Sequence, residues 1–128
     1  MIGKNNIFNI RQGAKWQGMT GTKKGFVEFE TQEYAIRAWL ILMRTYRRRY
    51  GCKTIRQIVT RFAPPNENNT EQYIAFCCRQ VGMSADDELT GLTQYAMLGK
   101  AMAKMETATS LHPNDILEVM NQFKIRVV

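Results

Sequence analysis

The residues from which a reactive centre could be built are few. One histidine, His112, stands without a second ligand at the spacing that holds zinc, so neither a metal centre nor a histidine-activated nucleophile is expected, unless His112 itself is that base. Three cysteines, Cys52, Cys77 and Cys78, cannot all pair, and adjacent cysteines are poor disulfide partners, which fits synthesis in a reducing compartment. Four arginines crowd the run Arg44-Thr-Tyr-Arg-Arg-Arg-Tyr50, where they could hold phosphates. They read more simply as the solvated basic end of a helix, favoured by its dipole, because no helix-turn-helix or base-stacking signature accompanies them. Two groups of asparagines remain, Asn5, Asn6 and Asn9, then Asn66, Asn68 and Asn69. Their amides both donate and accept, which suits sugar hydroxyls and N-acetyl groups, but composition alone favours loop caps.

The rest of the chain must supply a scaffold for such groups. With 128 residues, 45% of them hydrophobic and 23% charged, it can bury a core, and its composition is that of neither collagen, a disordered tail nor a disulfide scaffold. One domain spanning residues 1–128 is expected. The longest apolar run, Ala38 to Met43, is too short to cross a bilayer, and no long apolar stretch follows Lys4, so neither a transmembrane span nor a secretory signal is expected. Synthesis in the cytoplasm follows from that reading. A net charge of +7 favours a polyanionic partner: nucleic acid, an anionic lipid surface or a cell-wall polymer. The eight methionines read as gap-filling core, and no cofactor is expected.

Patterning predicts a mainly α fold of about five helices with a small N-terminal β-hairpin. Residues Ala14 to Glu30, with Trp16, Phe26, Val27 and Phe29 around Gly21-Thr-Lys-Lys-Gly25, read as the hairpin. Thr31 caps a helix carrying Ala35, Trp39, Leu42, Met43 and Tyr46 and ending near Gly51. Thr54 caps a second, with Ile55, Ile58, Val59 and Phe62 on one face, stopped by Pro64 and Pro65. Thr70 caps a third, through Tyr73, Ile74, Cys77 and Val81 to Gly82, and Ser84 to Asp87 looks like a capping box for a short turn. A fourth helix runs from about Thr90 to Glu106, and Pro113 opens a fifth with Ile116, Leu117, Met120 and Phe123.

Two stretches carry a resemblance. Asn5-Asn-Ile-Phe-Asn-Ile-Arg11, then Trp16-Gln-Gly18, then Phe26-Val-Glu-Phe-Glu-Thr31 with Tyr34-Ala-Ile-Arg-Ala38, resembles the segment that follows the catalytic glutamate in lysozyme-like peptidoglycan hydrolases, flagellar-type N-acetylglucosaminidases in particular. The run Thr54-Ile-Arg-Gln-Ile-Val-Thr-Arg-Phe-Ala-Pro-Pro-Asn-Glu-Asn-Asn-Thr70, with Tyr73, closely resembles a family of small phage and prophage proteins often labelled virion structural proteins. In the hydrolases the acid-bearing helix precedes the asparagine-rich turn, whereas here only Met1 to Lys4 stand before Asn5. A helix of the right character instead closes the fourth element, Gly99-Lys-Ala-Met-Ala-Lys-Met-Glu106-Thr107, with Ala108 where those hydrolases have glycine in a Glu-Thr-Gly pattern.

What the resemblance implies is a lysozyme-like domain, circularly permuted, that binds the glycan strands of peptidoglycan and cleaves them as a glycosidase or lytic transglycosylase with Glu106 as general acid. It places Trp16, Phe26 and Tyr73 against sugar rings, gives Asn5, Asn6, Asn9 and Asn69 hydrogen-bonding roles, and leaves Glu28 or Glu30 to face the cleft from the hairpin. The rival reading is a non-catalytic virion component, and a basic nucleic-acid-binding module is the least favoured. The expected partners are accordingly the glycan strand or other virion components, with the protein carried in the virion or released to the cell wall. The permutation makes one geometric demand: the end of the fourth helix must return to the turn at Asn5 to Asn9.

Overall fold

In the computed structural model, which describes residues 1–128, the elements run β1 (Met19–Lys23), β2 (Phe26–Phe29), α1 (Gln32–Tyr50), α2 (Ile55–Phe62), α3 (Thr70–Val81), α4 (Leu92–Thr107) and α5 (Pro113–Phe123). This is the mainly α fold with a small hairpin that the patterning predicts. Lys24 and Gly25 join the strands with φ of 50° and 85°, the doubly left-handed turn that matches the twist of an antiparallel pair. Gly18, at φ 77°, lies against the Tyr34 ring so closely that a Cβ there would enter the ring, which is how the base of the hairpin seats on α1.

Local chemistry fixes the helix ends. The Thr31 side chain accepts from the Tyr34 N–H, Thr54 and Gln57 form a reciprocal capping box, and α1 stops at Gly51 in the left-handed region. The third cap departs from expectation. Asn69, not Thr70, caps α3 by accepting from the Gln72 N–H, because the Thr70 hydroxyl is buried and donates to the Ala63 carbonyl at 2.7 Å. Ser84 to Asp87 forms a turn with no helix after it, and α4 begins at Leu92 with Gln94 accepting from the Thr90 and Gly91 amides. His112 caps α5, its Nδ1 accepting from Asn114 while its own amide donates to Asp115. The lone histidine thus has a structural use.

The core is one continuous cluster in which Trp39 of α1 stacks on Phe8 with ring centroids 5.2 Å apart. α4 lies close over this ring because Gly99 faces Trp39 and Ile116, leaving no room for a Cβ. Met43 and Met102 are fully buried, whereas Met1 and Met105 are exposed. The three cysteines are free, and burial pushes the Cys77 thiol up to about 12, which leaves it unreactive at neutral pH. No helix is long and apolar enough to cross a membrane.

The arginine run does not form a single stripe. Arg47 turns inward, donating to the Leu89 carbonyl and to Glu88 at 2.9 and 3.0 Å, and so ties α1 to the segment before α4. Arg48 reaches the Arg126 carbonyl at 3.5 Å. Nearby, Arg61 of α2 lies over the rings of Tyr46 and Tyr50.

Candidate functional site

A cleft of about 480 Å³ opens between the hairpin side and the α2–α3 connection. One wall is Asn9, Ile10, Arg11, Ala14, Trp16 and Phe26; the other is Phe62, Ala63, Glu67 and Asn68; Leu42 and Tyr46 of α1 and Glu106 at the end of α4 complete it. Its size falls within the range of about 300–1,000 Å³ common for small-ligand sites.

The end of α4 does return to the asparagine turn. Asn9, whose backbone is left-handed at φ 52°, donates from Nδ2 to the Glu106 carbonyl at 3.0 Å and to its Oε1 at 3.3 Å. Thr107 Oγ1 donates to the Ile7 carbonyl at 2.8 Å, a second tie between segments a hundred residues apart. α4 ends immediately after, because Ala108 adopts φ 58° and its N–H bonds back to Lys104. That conformation favours glycine, so Ala108 fills the stop position at a conformational cost. Ala108→Gly is expected to stabilise the protein by about 1 kcal/mol, read as a higher midpoint in urea unfolding with an unchanged slope.

Glu106 is half-buried, and its electrostatics follow. Burial raises its pKa above the ordinary glutamate range, a shift opposed by the Tyr73 hydroxyl, the Asn9 amide and, more distantly, the Arg11 guanidinium. The Tyr73 hydroxyl lies close enough to this carboxyl to favour its charged form. Its own ionisation is pushed well up by burial and by the neighbouring carboxylate. Three buried polar atoms around Glu106 and the cleft have no protein partner: Asn9 Oδ1, Trp16 Nε1 and the Tyr73 hydroxyl.

The residues singled out from sequence divide into two groups. Asn9, Trp16, Phe26 and Glu106 line the cleft, with Tyr73 buried behind Glu106. Asn5, Asn6, Glu28 and Asn69 do not line it. Asn5 donates to the Phe29 and Glu30 carbonyls, and Asn6, fully buried, donates to the Ile10 and Val27 carbonyls while accepting from the Ile10 N–H. The Glu28 carboxylate accepts from the Lys4 amide, and Asn69 is spent on its cap. Those side chains are engaged with backbone groups, Asn6 wholly buried and Asn69 at the surface. Arg11, Tyr46, Phe62, Glu67 and Asn68 line the cleft without having been singled out for it. No group of three His, Cys, Asp or Glu side chains is arranged to hold a metal.

Comparison with known proteins gives the chain a lineage. It is 35% identical over 117 residues to Protein P5 of Pseudoalteromonas phage PM2, an alignment covering 87% of this chain and 72% of that protein. The chain belongs to the P5 family of phage proteins. No family model matches the sequence.

Proposed function

We propose that this P5-family protein is a phage-borne, lysozyme-like domain that grips a peptidoglycan glycan strand in the cleft and cleaves it with Glu106 as the general acid. The observation that carries the reading is the Glu106 carboxyl itself: half-buried, its pKa raised, and held by Asn9 from the turn on the opposite side of the chain. A carboxyl so placed keeps its proton to higher pH than a solvated one, which a glycosidic oxygen needs in order to leave. The juxtaposition of α4 and the asparagine turn also fits a circular permutation of the lysozyme-like arrangement, in which the acid-bearing helix follows the turn in sequence instead of preceding it. Trp16 and Phe26 line the cleft and supply apolar surface on which sugar rings can pack.

The other cleft carboxylate, Glu67, is exposed and paired with Arg11. Glu28 is engaged by the Lys4 amide and does not line the cleft, so no second carboxylate with the burial of Glu106 faces the strand. This favours the lytic transglycosylase route among those the resemblance allows. Glu106 donates its proton to the leaving oxygen as the C1–O bond breaks; a hydroxyl of the same sugar then closes onto C1, and its proton returns to Glu106. No water is consumed. Cleavage should therefore fall as pH rises through the raised Glu106 pKa, since only the protonated form can act.

A non-catalytic virion component is the second reading, favoured by the kinship with a phage protein alone. In both readings the net charge of +7 should make association with insoluble peptidoglycan salt-sensitive, because screening acts within about 8 Å at physiological ionic strength. Co-sedimentation with purified sacculi should decline steadily between low and high salt. Tight duplex DNA binding without any such co-sedimentation would overturn the glycan reading.

A further inference from the structure

Arg11 and Glu67 face one another across the mouth of the cleft, joining its hairpin wall to the turn after Pro65. The arginine is well positioned from its own side. Its backbone bridges to Phe26, the next amide, of Gln12, donates to Gly25, and its guanidinium sits over the Phe26 ring at 5.4 Å. The ion pair is much less well made. A single Nη2 to Oε2 contact at 3.4 Å links side chains that are 67% and 46% exposed. Good charge-assisted pairs with arginine are nearer 2.7–2.9 Å and often bidentate, so most of the planar donor fork is unused. An exposed pair of this kind is worth little and is easily exchanged for a better-seated carboxylate.

We infer that Arg11 is the specificity residue of the cleft, recognising a carboxylate borne by the glycan strand, and that Glu67 is an internal stand-in which the strand displaces. This rests on the glycan reading proposed above and narrows it: the preferred substrate is an anionic strand rather than a neutral one. The shared chemistry is a carboxylate within reach of Arg11, whether on the lactyl ether of a peptide-free strand or on an attached stem peptide. Displacement breaks no covalent bond; one ion pair is traded for another, and Glu67 is released to solvent.

The test is a binding titration of the full chain with three ligands: a neutral N-acetylglucosamine oligomer, a peptide-free strand with free lactyl carboxylates, and a strand bearing stem peptides. At least one carboxylate-bearing strand should bind about tenfold more tightly than the neutral oligomer, the gain expected of one well-formed charge-assisted contact. Which of the two does so identifies the source of the carboxylate. Arg11→Gln should erase that difference, read as the ratio of anionic to neutral affinity so that any change common to all three ligands cancels, whereas Glu67→Gln should widen it by about two- to fivefold by removing the competitor. Equal affinity for all three ligands, or a preference that survives Arg11→Gln, would overturn the assignment to Arg11 while leaving the glycan cleft standing. Failure of all three to bind would overturn the glycan cleft and the assignment with it.

Discussion

Glu106→Gln should lower glycan cleavage by about 10²–10⁴-fold, the usual contribution of a positioned general acid, while leaving strand binding and folding intact. Glutamine keeps the shape of the side chain and can still accept from Asn9, but it has no proton to give. Stability separates this loss from simple unfolding. Burial holds the Glu106 pKa above its unfolded value, so the folded state binds the proton more tightly; the stabilisation is fully present below the unfolded pKa and is lost as pH rises through the folded one. At neutral pH the folded protein bears the cost of a partly desolvated carboxylate. The glutamine variant escapes that cost and should melt at the same temperature or higher at pH 7, with its advantage shrinking as the pH is lowered. A variant that loses activity and also melts at a much lower temperature would indicate a structural role for the carboxyl instead.

Asn6→Ala should be the most damaging single change outside the apolar core, costing about 3 kcal/mol and lowering Tm by on the order of 10 °C. The Asn6 side chain makes three backbone hydrogen bonds, at 2.9, 2.8 and 2.9 Å, with no exposure to water. The Ile10 carbonyl keeps a second donor in the Val27 amide, but the Ile10 N–H would be stranded and the Val27 carbonyl would lose this donor. The effect should extend to the cleft, because the turn that Asn6 holds also carries Asn9 and Arg11. Thermal unfolding followed by circular dichroism measures the loss directly, and a Tm within a degree or two of wild type would show that the turn is held by other contacts.

The contrast between Asn6 and Asn9 shows how much of the site could be read from sequence. Both sit in the same asparagine-rich turn and both are amides, yet one is wholly consumed by backbone and the other reaches the Glu106 carboxyl. Nothing local distinguishes them, since the difference is made by what packs across the turn from β2 and α4. The helices were legible because their signals are local: Thr31 and Thr54 before apolar periodicity, Gly51 and Gly82 after it, Pro113 at a first helical position. The α3 cap was misplaced by one residue because the Ala63 carbonyl, brought near by the turn after Pro64, captures the Thr70 hydroxyl. Likewise the arginine run looks continuous in sequence, but helical geometry sends Arg47 inward to Leu89 and Glu88.

The meeting of Glu106 with Asn9 lies beyond periodicity or composition, because it is a contact between residues 97 apart in the chain. It was legible only through resemblance, which supplied a reason for the end of the fourth helix to return to the first turn. Arg11 and Glu67 had no such guide. Each is a charged loop residue with no local signature, and their pairing across the cleft emerges only once the hairpin and the α2–α3 turn are placed opposite one another.

The products of a digest decide whether the cleft cuts the glycan strand as proposed. Purified protein incubated with intact peptidoglycan should release soluble disaccharide fragments that are lighter by one water than hydrolysis products, as ring closure onto C1 requires, detected by mass spectrometry. Sacculi that bind the protein yet release no fragments at any pH would contradict the claim and leave a virion component that holds the glycan strand without cutting it.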